Sequence, residues 1–309
     1  MSKIIRDPVH GYIRIPEKIC ELFIDTPIFQ RLRHIEQTSM RWLFPGGRHD
    51  RFIHSLGVYH LATRLYNALV ANSQNVKDIL NDDSLRNTFE ISALMHDCGH
   101  APFSHTTEFL YNKTCSGISH NTTFERLRNI VDPDARSEFS FHEISNKKPA
   151  DHEAMSALVL LREYKNQLKD YNVKPTLAAR MITGILHSYP DTEEKKVENT
   201  LIELINGKVI DVDKLDYIVR DTWASGVKNA TIDIGRLLDA TTIDLDDTDK
   251  PQLVYKATAL SVMQTVIDAR NYLYEWIYGH HTVLYYAQLL KMLCAKLGEA
   301  LAKETNERS

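Results

Sequence analysis

The sequence has few cysteines and no long apolar run, and these absences exclude several classes of protein. Its four cysteines, Cys20, Cys98, Cys115 and Cys294, include no Cys-x-x-Cys pair, so we expect neither a cysteine zinc site nor a disulfide framework. No stretch approaches about eighteen consecutive apolar residues, so no membrane span is expected. The first residues, MSKIIRDPVHGY, carry no apolar signal segment. The sequence therefore favours a cytoplasmic protein with reduced thiols.

The sequence also has no strong excess of charge of either sign: it has 37 Lys and Arg and 41 Asp and Glu, for a formal net charge of −4. A global attraction for nucleic acid is not indicated, and the composition leaves such binding open. Anionic partners would have to be met by local basic clusters. With 43% hydrophobic residues, the chain can bury a sizeable core. Histidine is abundant, with 14 residues, and its placement matters more than its number.

The spacing of apolar residues predicts a mainly α-helical bundle with small β-hairpins, as one domain over residues 1–309. Turn residues predict hairpins over residues 1–16 and from TTIDL to QLVYK. Residues 111–150 are expected to form a polar, irregular excursion with one helix at FERLRNIV. Helices are expected near residues 16–41, 52–73, 83–98, 151–168, 175–188, 210–222 and 258–303, the last broken near Gly279.

Three separated segments combine imidazole and carboxylate groups. They are RFIHSLG with His54, LMHDCGH with adjacent His96 and Asp97, and DVDKLDY with Asp213. Imidazole suits iron and zinc, whereas carboxylate suits manganese and magnesium, so the set suits a divalent metal. Each segment is expected on its own helix, and a helix bundle can direct such side chains to one centre. The alternative is that His54 is an ordinary core histidine and that Asp97 ends a helix turn.

The segment DVDKLDYIVRD is the most informative of the three. At about 100° per residue, Asp213, Lys214, Tyr217 and Asp221 fall within roughly a 100° arc of one helix. A solvated helix face can carry Asp and Lys, but it would seldom carry Tyr in line with them. The pattern predicts a functional face with a metal ligand, a phosphate-binding cation and two hydrogen-bonding groups.

Taken together, these segments resemble the HD-domain superfamily, whose pattern is His, then His-Asp, then Asp. More closely, the chain resembles the dNTP triphosphohydrolase branch, from about residue 4 to about residue 285. Relatives continue into a further C-terminal lobe, which we expect to be absent or truncated here. The resemblance is carried by DPVHGYI at 7–13, TPIFQRLRHIEQ at 26–37, FPGG at 44–47, RFIHSLGVYHLA at 51–62, HDCGHAPFSH at 96–105, DHE at 151–153, DVDKLDYIVRD at 211–221 and RNYLY at 270–274.

The resemblance implies a role for each matching residue. The metal ligands would be His54, His96, Asp97 and Asp213. The phosphate contacts would be Arg51, Lys214 and Arg270. The imidazoles around the reacting phosphorus would be His100, His105 and His152. The sugar would be held by Gln37, Tyr217 and Asp221, with Tyr278 against its 2′ edge. An activator nucleotide would be read by Asp25, Gln30 and Arg33.

Three positions depart from the vertebrate members of that branch. Glu108 replaces an aspartate, Tyr274 replaces a histidine, and Thr38 replaces a leucine beside the sugar. The departures leave the residues for metal and triphosphate intact. They put the sugar and base preference in doubt.

The reaction implied is attack at the α-phosphorus, which releases deoxynucleoside and inorganic triphosphate. The 5′ oxygen leaves poorly as an alkoxide, so a positioned acid is needed, and His105 oriented by Glu108 is a candidate. The resemblance implies iron, manganese or zinc at the HD site and magnesium with the triphosphate. It also implies a homo-oligomer, dimer or tetramer, activated by dGTP or GTP.

Two other functions stay open on the sequence alone. One is another HD phosphohydrolase, acting on nucleoside monophosphates or phosphodiesters. The other is a nucleotide-sensing or nucleic-acid-binding protein in which catalysis is secondary. For the proposed activator residues, the simpler interpretation is an amphipathic helix in which Ile28, Leu32 and Ile35 pack inward and the arginines are solvated.

Overall fold

The computed structural model describes residues 2–112, 122–144, 149–208, 210–227, 231–245 and 251–307. The chain is mainly α-helical with two small antiparallel hairpins, which confirms the fold class expected from the sequence. In the first hairpin Ile5 pairs with Ile13, and in the second Ile243 pairs with Leu253. The strands are β1 Ser2–Asp7, β2 Gly11–Pro16, β3 Thr241–Leu245 and β4 Pro251–Tyr255.

The α-helices are numbered in chain order. The first seven are α1 Glu17–Ile19, α2 Pro27–Gln30, α3 Arg51–Asn72, α4 Lys77–Leu80, α5 Asp83–Met95, α6 Thr123–Ile130 and α7 Arg136–Ile144. The others are α8 Asp151–Glu163, α9 Lys165–Asp170, α10 Pro175–Thr183, α11 Glu193–Ile205, α12 Val212–Ser225, α13 Ile234–Asp239, α14 Leu260–Leu273 and α15 His281–Glu307. Within the described ranges, no helix has both the length and the apolar character to span a bilayer.

Shorter helical turns connect these elements. The 3₁₀ turns are Arg31–His34, Ser39–Trp42, Gln74–Val76, Ser104–Asn112, Pro133–Ala135 and Ala257–Ala259, and the π-helical turns are Cys20–Ile24 and Tyr274–Tyr278.

Helix α3 is buried on more than one side because it contributes residues to both hydrophobic cores. Val58 and Leu61 pack into a core formed with α5, α11, α12 and α14. Phe52 and Tyr59 pack into a second core formed with β2, α6, α8 and α10. These contacts hold α3 against both α5 and α12. His54 is therefore fully buried beside α12, which carries Asp213, and α5, whose end is followed by His96 and Asp97.

The expected helical stretch over residues 16–41 is helical, but it is broken into short pieces that are interrupted at Asp25–Thr26 and after His34. Thr26 starts α2 afresh, since its hydroxyl accepts a hydrogen bond from the Phe29 amide and Pro27 occupies the first turn. Beyond His34 the backbone of Ile35 is extended, and Glu36 then forms an isolated β-bridge with Asp50.

Helix α11 was not expected, because its first turns are rich in charge and hide the apolar positions. Thr192 caps it by accepting a hydrogen bond from the Lys195 amide, and Val197, Leu201 and Leu204 are buried. Two other expected helices are interrupted or shorter than expected. The one over residues 175–188 stops at Gly184, whose φ of 69° is left-handed, and the one over 151–168 divides at Tyr164 into α8 and α9.

The polar excursion contains α6 at the expected FERLRNIV segment, and α7, which was not expected. Residues 113–121 and 145–148 of that excursion lie outside the described residues.

Candidate metal centre and active site

The four predicted metal ligands meet where α3, α5 and α12 come together. His54 lies on α3, His96 and Asp97 follow the end of α5, and Asp213 lies in the first turn of α12. His54 Nε2 is 3.0 Å from Asp213 Oδ1 and 3.8 Å from Asp97 Oδ2. His96 Nε2 is 3.5 Å from Asp97 Oδ1 and 3.7 Å from Asp213 Oδ1. The fold thus brings together ligand atoms that are far apart in the sequence.

The donor atoms of this centre fit a bound divalent cation. The Nε2 atoms of His54 and His96 are buried and make no hydrogen bond to any described residue. A buried polar atom without a partner is destabilising, so both nitrogens need a partner that the protein itself does not supply. Two imidazoles with two carboxylates, Asp97 and Asp213, form a donor set that suits iron, manganese or zinc.

The carboxylates make the centre strongly attractive to positive charge. Burial alone would lower the pKa of His54, but Asp213 and Asp216 outweigh burial and raise that pKa to about 10. For His96, too, Asp97 and Asp213 overcome burial and raise the pKa. In return, His54 and His96 hold the pKa of the Asp213 carboxyl well below its usual range, against the effect of burial. The same negative charge that binds protons here also favours a metal cation.

A buried network that was not found from the sequence orients His54. The Nδ1 atom of His54 is 2.7 Å from Asp216 Oδ2, and Asp216 Oδ1 is 2.6 Å from His10 Nε2. Arg220 donates to both oxygens of Asp216, at 2.8 and 2.9 Å, and to Asp7 Oδ2 at 2.9 Å. Such a partner fixes the ring of a ligating histidine and leaves its other nitrogen for the metal. All four partner residues lie within DPVHGYI and DVDKLDYIVRD, but neither motif alone indicates which of these residues meet.

A second cluster, of His100, His105, Glu108 and His152, adjoins the metal centre. Glu108 Oε1 is 2.7 Å from His105 Nδ1, 3.0 Å from His152 Nδ1 and 3.4 Å from His100 Nδ1. The rings of His100 and His152 stack with their centroids 4.2 Å apart. His100 Nε2 is 3.5 Å from Asp97 Oδ1, so Asp97 links the two clusters.

Charges in this second cluster assign different protonation states to its histidines. Burial raises the pKa of Glu108, but His105 and His152 more than compensate and lower it to about 2. Glu108 in turn raises the pKa of His152 against the effect of burial. Burial and the nearby Arg51 hold the pKa of His100 well below its usual range. His152 is therefore able to carry a proton near neutral pH, while His100 is a neutral ring.

Arg51, predicted to contact phosphate, lies between the two clusters. It donates to Asp97 Oδ2 at 2.5 Å and, through Nε, to Ser104 Oγ at 3.1 Å. Ser104 and the preceding Phe103 have left-handed backbones, with φ of 56° and 64°. Such conformations are strained for residues other than glycine, and here they direct the Ser104 hydroxyl towards Arg51 and place His105 beside it.

The other two predicted phosphate contacts lie in different surroundings. Lys214 Nζ donates to Gly207 O at 2.8 Å and to Asp211 Oδ2 at 2.5 Å, so its charge is held by the start of α12. Arg270 Nε donates to Tyr217 OH at 3.3 Å, and its guanidinium lies 4.8 Å from the centroid of the Tyr274 ring. Arg51 is the predicted phosphate contact that the structure joins directly to a metal-ligand candidate.

Of the residues expected to hold a sugar, Asp221 contacts Tyr278 directly and Gln37 through His49, while Tyr217 contacts Arg270. The two oxygens of the buried Asp221 carboxyl contact His49 Nε2, at 2.5 Å, and the hydroxyl of Tyr278. The backbone amide of Gln37 donates a hydrogen bond to His49 O at 3.1 Å. Gln37 Oε1, Thr38 Oγ1 and His49 Nδ1 are buried with no hydrogen-bond partner among the described residues. His49 was missed from the sequence because its segment, FPGGRHDR, was interpreted only as a connecting loop.

The three predicted activator residues lie near one another at the surface. Asp25 accepts a hydrogen bond from Lys3 at 2.6 Å, and Gln30 accepts one from Arg33 Nε at 2.8 Å. The Arg33 guanidinium lies 3.5 Å from the centroid of the Phe52 ring. Leu32 and Ile35 are buried, as the simpler amphipathic interpretation also expects. Its expectation that both arginines are solvated was wrong for Arg31, which donates to the carbonyls of Cys98 and His100.

Comparison with known proteins gives a family match. Residues 51–205 match the family model described as the HD domain. The uncharacterized protein YwfO of Bacillus subtilis is 28% identical over 280 residues, which cover 90% of this chain and 52% of YwfO. Deoxynucleoside triphosphate triphosphohydrolase SAMHD1 of Danio rerio is 32% identical over 237 residues, covering 74% of this chain and 34% of that protein. The protein of that name from Mus musculus is 33% identical over 243 residues, with 74% and 32% covered. The chain thus spans about half of YwfO and about a third of these triphosphohydrolases.

Proposed function

Since this chain belongs to the HD-domain family, we propose that it is a metal-dependent hydrolase that cleaves deoxynucleoside triphosphates to deoxynucleoside and inorganic triphosphate. The observation that carries the proposal is the direct contact between two clusters of different chemistry. One is a His/Asp metal centre, and the other holds three imidazoles around Glu108. The relatives named as deoxynucleoside triphosphate triphosphohydrolases, at 32–33% identity, favour this substrate class over others.

The metal would be held by His54, His96, Asp97 and Asp213. When bound, it would supply Lewis-acid stabilisation of the charge on a phosphoryl oxygen. Arg51, beside the centre, together with Lys214 and Arg270, would offset the remaining charge of the triphosphate. Such a role requires the substrate to compete with Asp97 for Arg51, whose guanidinium already contacts that carboxylate.

The imidazole cluster would supply the proton that the leaving 5′ oxygen needs. His152 keeps its proton because Glu108 raises its pKa, and the exposed His105 is hydrogen-bonded to the same carboxylate. Either ring can therefore act as a general acid, with Glu108 orienting it. His100 is neutral and lies against Asp97, where it would contact the phosphate as an uncharged group.

The polar side chains around Asp221 would hold the nucleoside. Their unpartnered atoms, on Gln37, Thr38 and His49, are suited to the hydroxyl groups of a sugar. Asp221 itself is already bonded to His49 and Tyr278, so it would position these side chains as well as the sugar.

The deciding experiment identifies the phosphorus product for each of the four dNTPs. Release of inorganic triphosphate supports the proposal. Release of phosphate or pyrophosphate, or activity only on monophosphates and diesters, supports a different HD phosphohydrolase. Nucleotide binding without turnover supports a sensor. The double variant His96→Ala/Asp97→Ala should lose both turnover and bound metal in elemental analysis, and unchanged metal content would contradict the ligand assignment.

A further inference from the structure

The segment Cys98–Ala101, which we call the catalytic loop, joins metal-ligand candidate Asp97 to the imidazole of His100. It follows the end of α5 and belongs to no helix or strand. Because the segment is outside regular secondary structure, the buried carbonyls of Cys98, Gly99 and His100 must accept hydrogen bonds from side chains elsewhere. The partners of these carbonyls therefore determine where His100 lies.

Arg31 provides two of those partners from a different part of the chain. Its NH2 donates to Cys98 O at 2.7 Å and its NH1 donates to His100 O at 2.8 Å. The guanidinium thus spans the two carbonyls that flank Gly99. Both bonds are short and involve a charged donor, which makes them stronger than neutral hydrogen bonds.

The opposite side of the catalytic loop is closed by α8. Gly99 N donates to Ser156 Oγ at 2.9 Å, and a Cβ on Gly99 would lie only 2.3 Å from Ser156 N. Tyr111 OH donates to Gly99 O at 2.5 Å, and Ser104 N donates to Ala101 O at 3.0 Å. Ser156 limits movement of the loop towards α8, and Arg31 holds two of its four carbonyls from another part of the chain.

We propose that Arg31 is a positioning residue for the hydrolysis reaction. By fixing the loop carbonyls, it holds His100 at 3.5 Å from Asp97 and in its stack on His152. A planar guanidinium can reach two carbonyls at once, whereas the ammonium of lysine is a single point donor on a flexible stem. This proposal rests on the proposed function, because it assigns His100 to the reacting site.

The test compares Arg31→Ala and Arg31→Lys with the surface variant Arg162→Ala. Loss of such a supporting contact is expected to lower kcat about 10- to 100-fold in Arg31→Ala. The KM and the metal content should change little, because no candidate substrate or metal contact is removed. Arg31→Lys should fall between wild type and Arg31→Ala, and Arg162→Ala should match wild type. Millimolar guanidinium should partly restore Arg31→Ala, whereas ammonium should not.

Amide hydrogen exchange gives a readout that does not need activity. In Arg31→Ala the amides of the catalytic loop should exchange faster, while those of α3 and α11 keep their wild-type rates. A wild-type kcat, no rescue by guanidinium, or faster exchange throughout the molecule would overturn the proposal. If the wild type releases no triphosphate from any dNTP, the proposed function fails instead, and the exchange data alone decide whether Arg31 holds the loop.

Discussion

At the scale of single residues, Asp216 has the largest expected effect outside the metal ligands. We expect Asp216→Asn to lower metal affinity about 10- to 100-fold, because the partner that orients His54 is weakened. It also removes half of the negative charge around buried Arg220, and breaking a buried pair costs about 3–5 kcal/mol of stability. Competition with a chelator and thermal unfolding measure the two effects. The exposed control Asp191→Asn should change neither.

If the proposed mechanism holds, Glu108 should set the pH dependence of the reaction. Its carboxylate raises the pKa of His152, so the acid form of that imidazole persists to higher pH than burial alone would allow. Glu108→Gln removes this charge, so the pKa of His152 falls and the alkaline limb of the kcat profile moves to lower pH. The exposed substitution Glu163→Gln on α8 should leave the profile in place. An unmoved limb in Glu108→Gln would show that the acid is a different group.

Two substitutions of Tyr278 distinguish selection of the sugar by the aromatic ring from selection by the hydroxyl group. We expect Tyr278→Ala to raise the rNTP/dNTP ratio of kcat/KM, because an aromatic ring excludes a 2′-hydroxyl and offers it no hydrogen bond. Tyr278→Phe keeps the ring and removes only the hydroxyl that contacts Asp221, so the ratio should stay near wild type. An equal rise in both variants would attribute selection to the hydrogen bond. An unchanged ratio in folded, metal-loaded Tyr278→Ala would remove Tyr278 from the site.

At the scale of elements, the contact between α3 and α12 depends on one residue without a side chain. A Cβ on Gly57 would lie 1.9 Å from Asp216 Oδ1 and 2.4 Å from a nitrogen of Arg220. Gly57→Ala should therefore force the helices apart and lower both stability and metal content. Gly298→Ala on α15 is the matched control, because its Cβ meets nothing within 4 Å. That substitution should be neutral or stabilise by up to about 1 kcal/mol in thermal unfolding. Equal melting temperatures for the two variants would contradict this account.

Long periodic segments and turn chemistry were predictable from the sequence, whereas interrupted or charge-rich segments were not. Helix α3 was expected over 52–73 and covers Arg51–Asn72, because its apolar residues recur at helical spacing. In the segment before it, Thr26 followed by Pro27 is a local signal for a helix start and could be predicted. The break at the extended Ile35 was not foreseen, because it depends on the bridge between Glu36 and Asp50, outside the local segment. In the candidate site, the histidine and aspartate side chains proposed to bind a metal could be selected from the motifs. Their outer partners could not, because Asp216 and His49 acquire meaning only when separate segments meet.

At the scale of the whole molecule, nucleotide-driven assembly is the main prediction. We expect dGTP or GTP to increase oligomer mass in mass photometry and to stimulate hydrolysis of another dNTP, because the nucleotide would bind the assembled state more tightly. Arg33→Ala should weaken both effects, whereas Arg162→Ala should not. Hyperbolic kinetics with a constant mass would leave Asp25, Gln30 and Arg33 as ordinary surface residues on an amphipathic segment.

The positions of the metal ligands along the chain have a consequence for biosynthesis. The proposed ligands at positions 54, 96, 97 and 213 lie on α3, just after α5 and on α12, so these three helices must all be synthesised and packed before the proposed centre can form. A nascent polypeptide that ends before α12 lacks Asp213 and also lacks Asp216 and Arg220, so it cannot retain the cation. Contacts of such high sequence separation form late in folding. If the proposed centre binds a metal, loading would follow translation of α12, and ribosome-bound fragments that end before α12 should be metal-free.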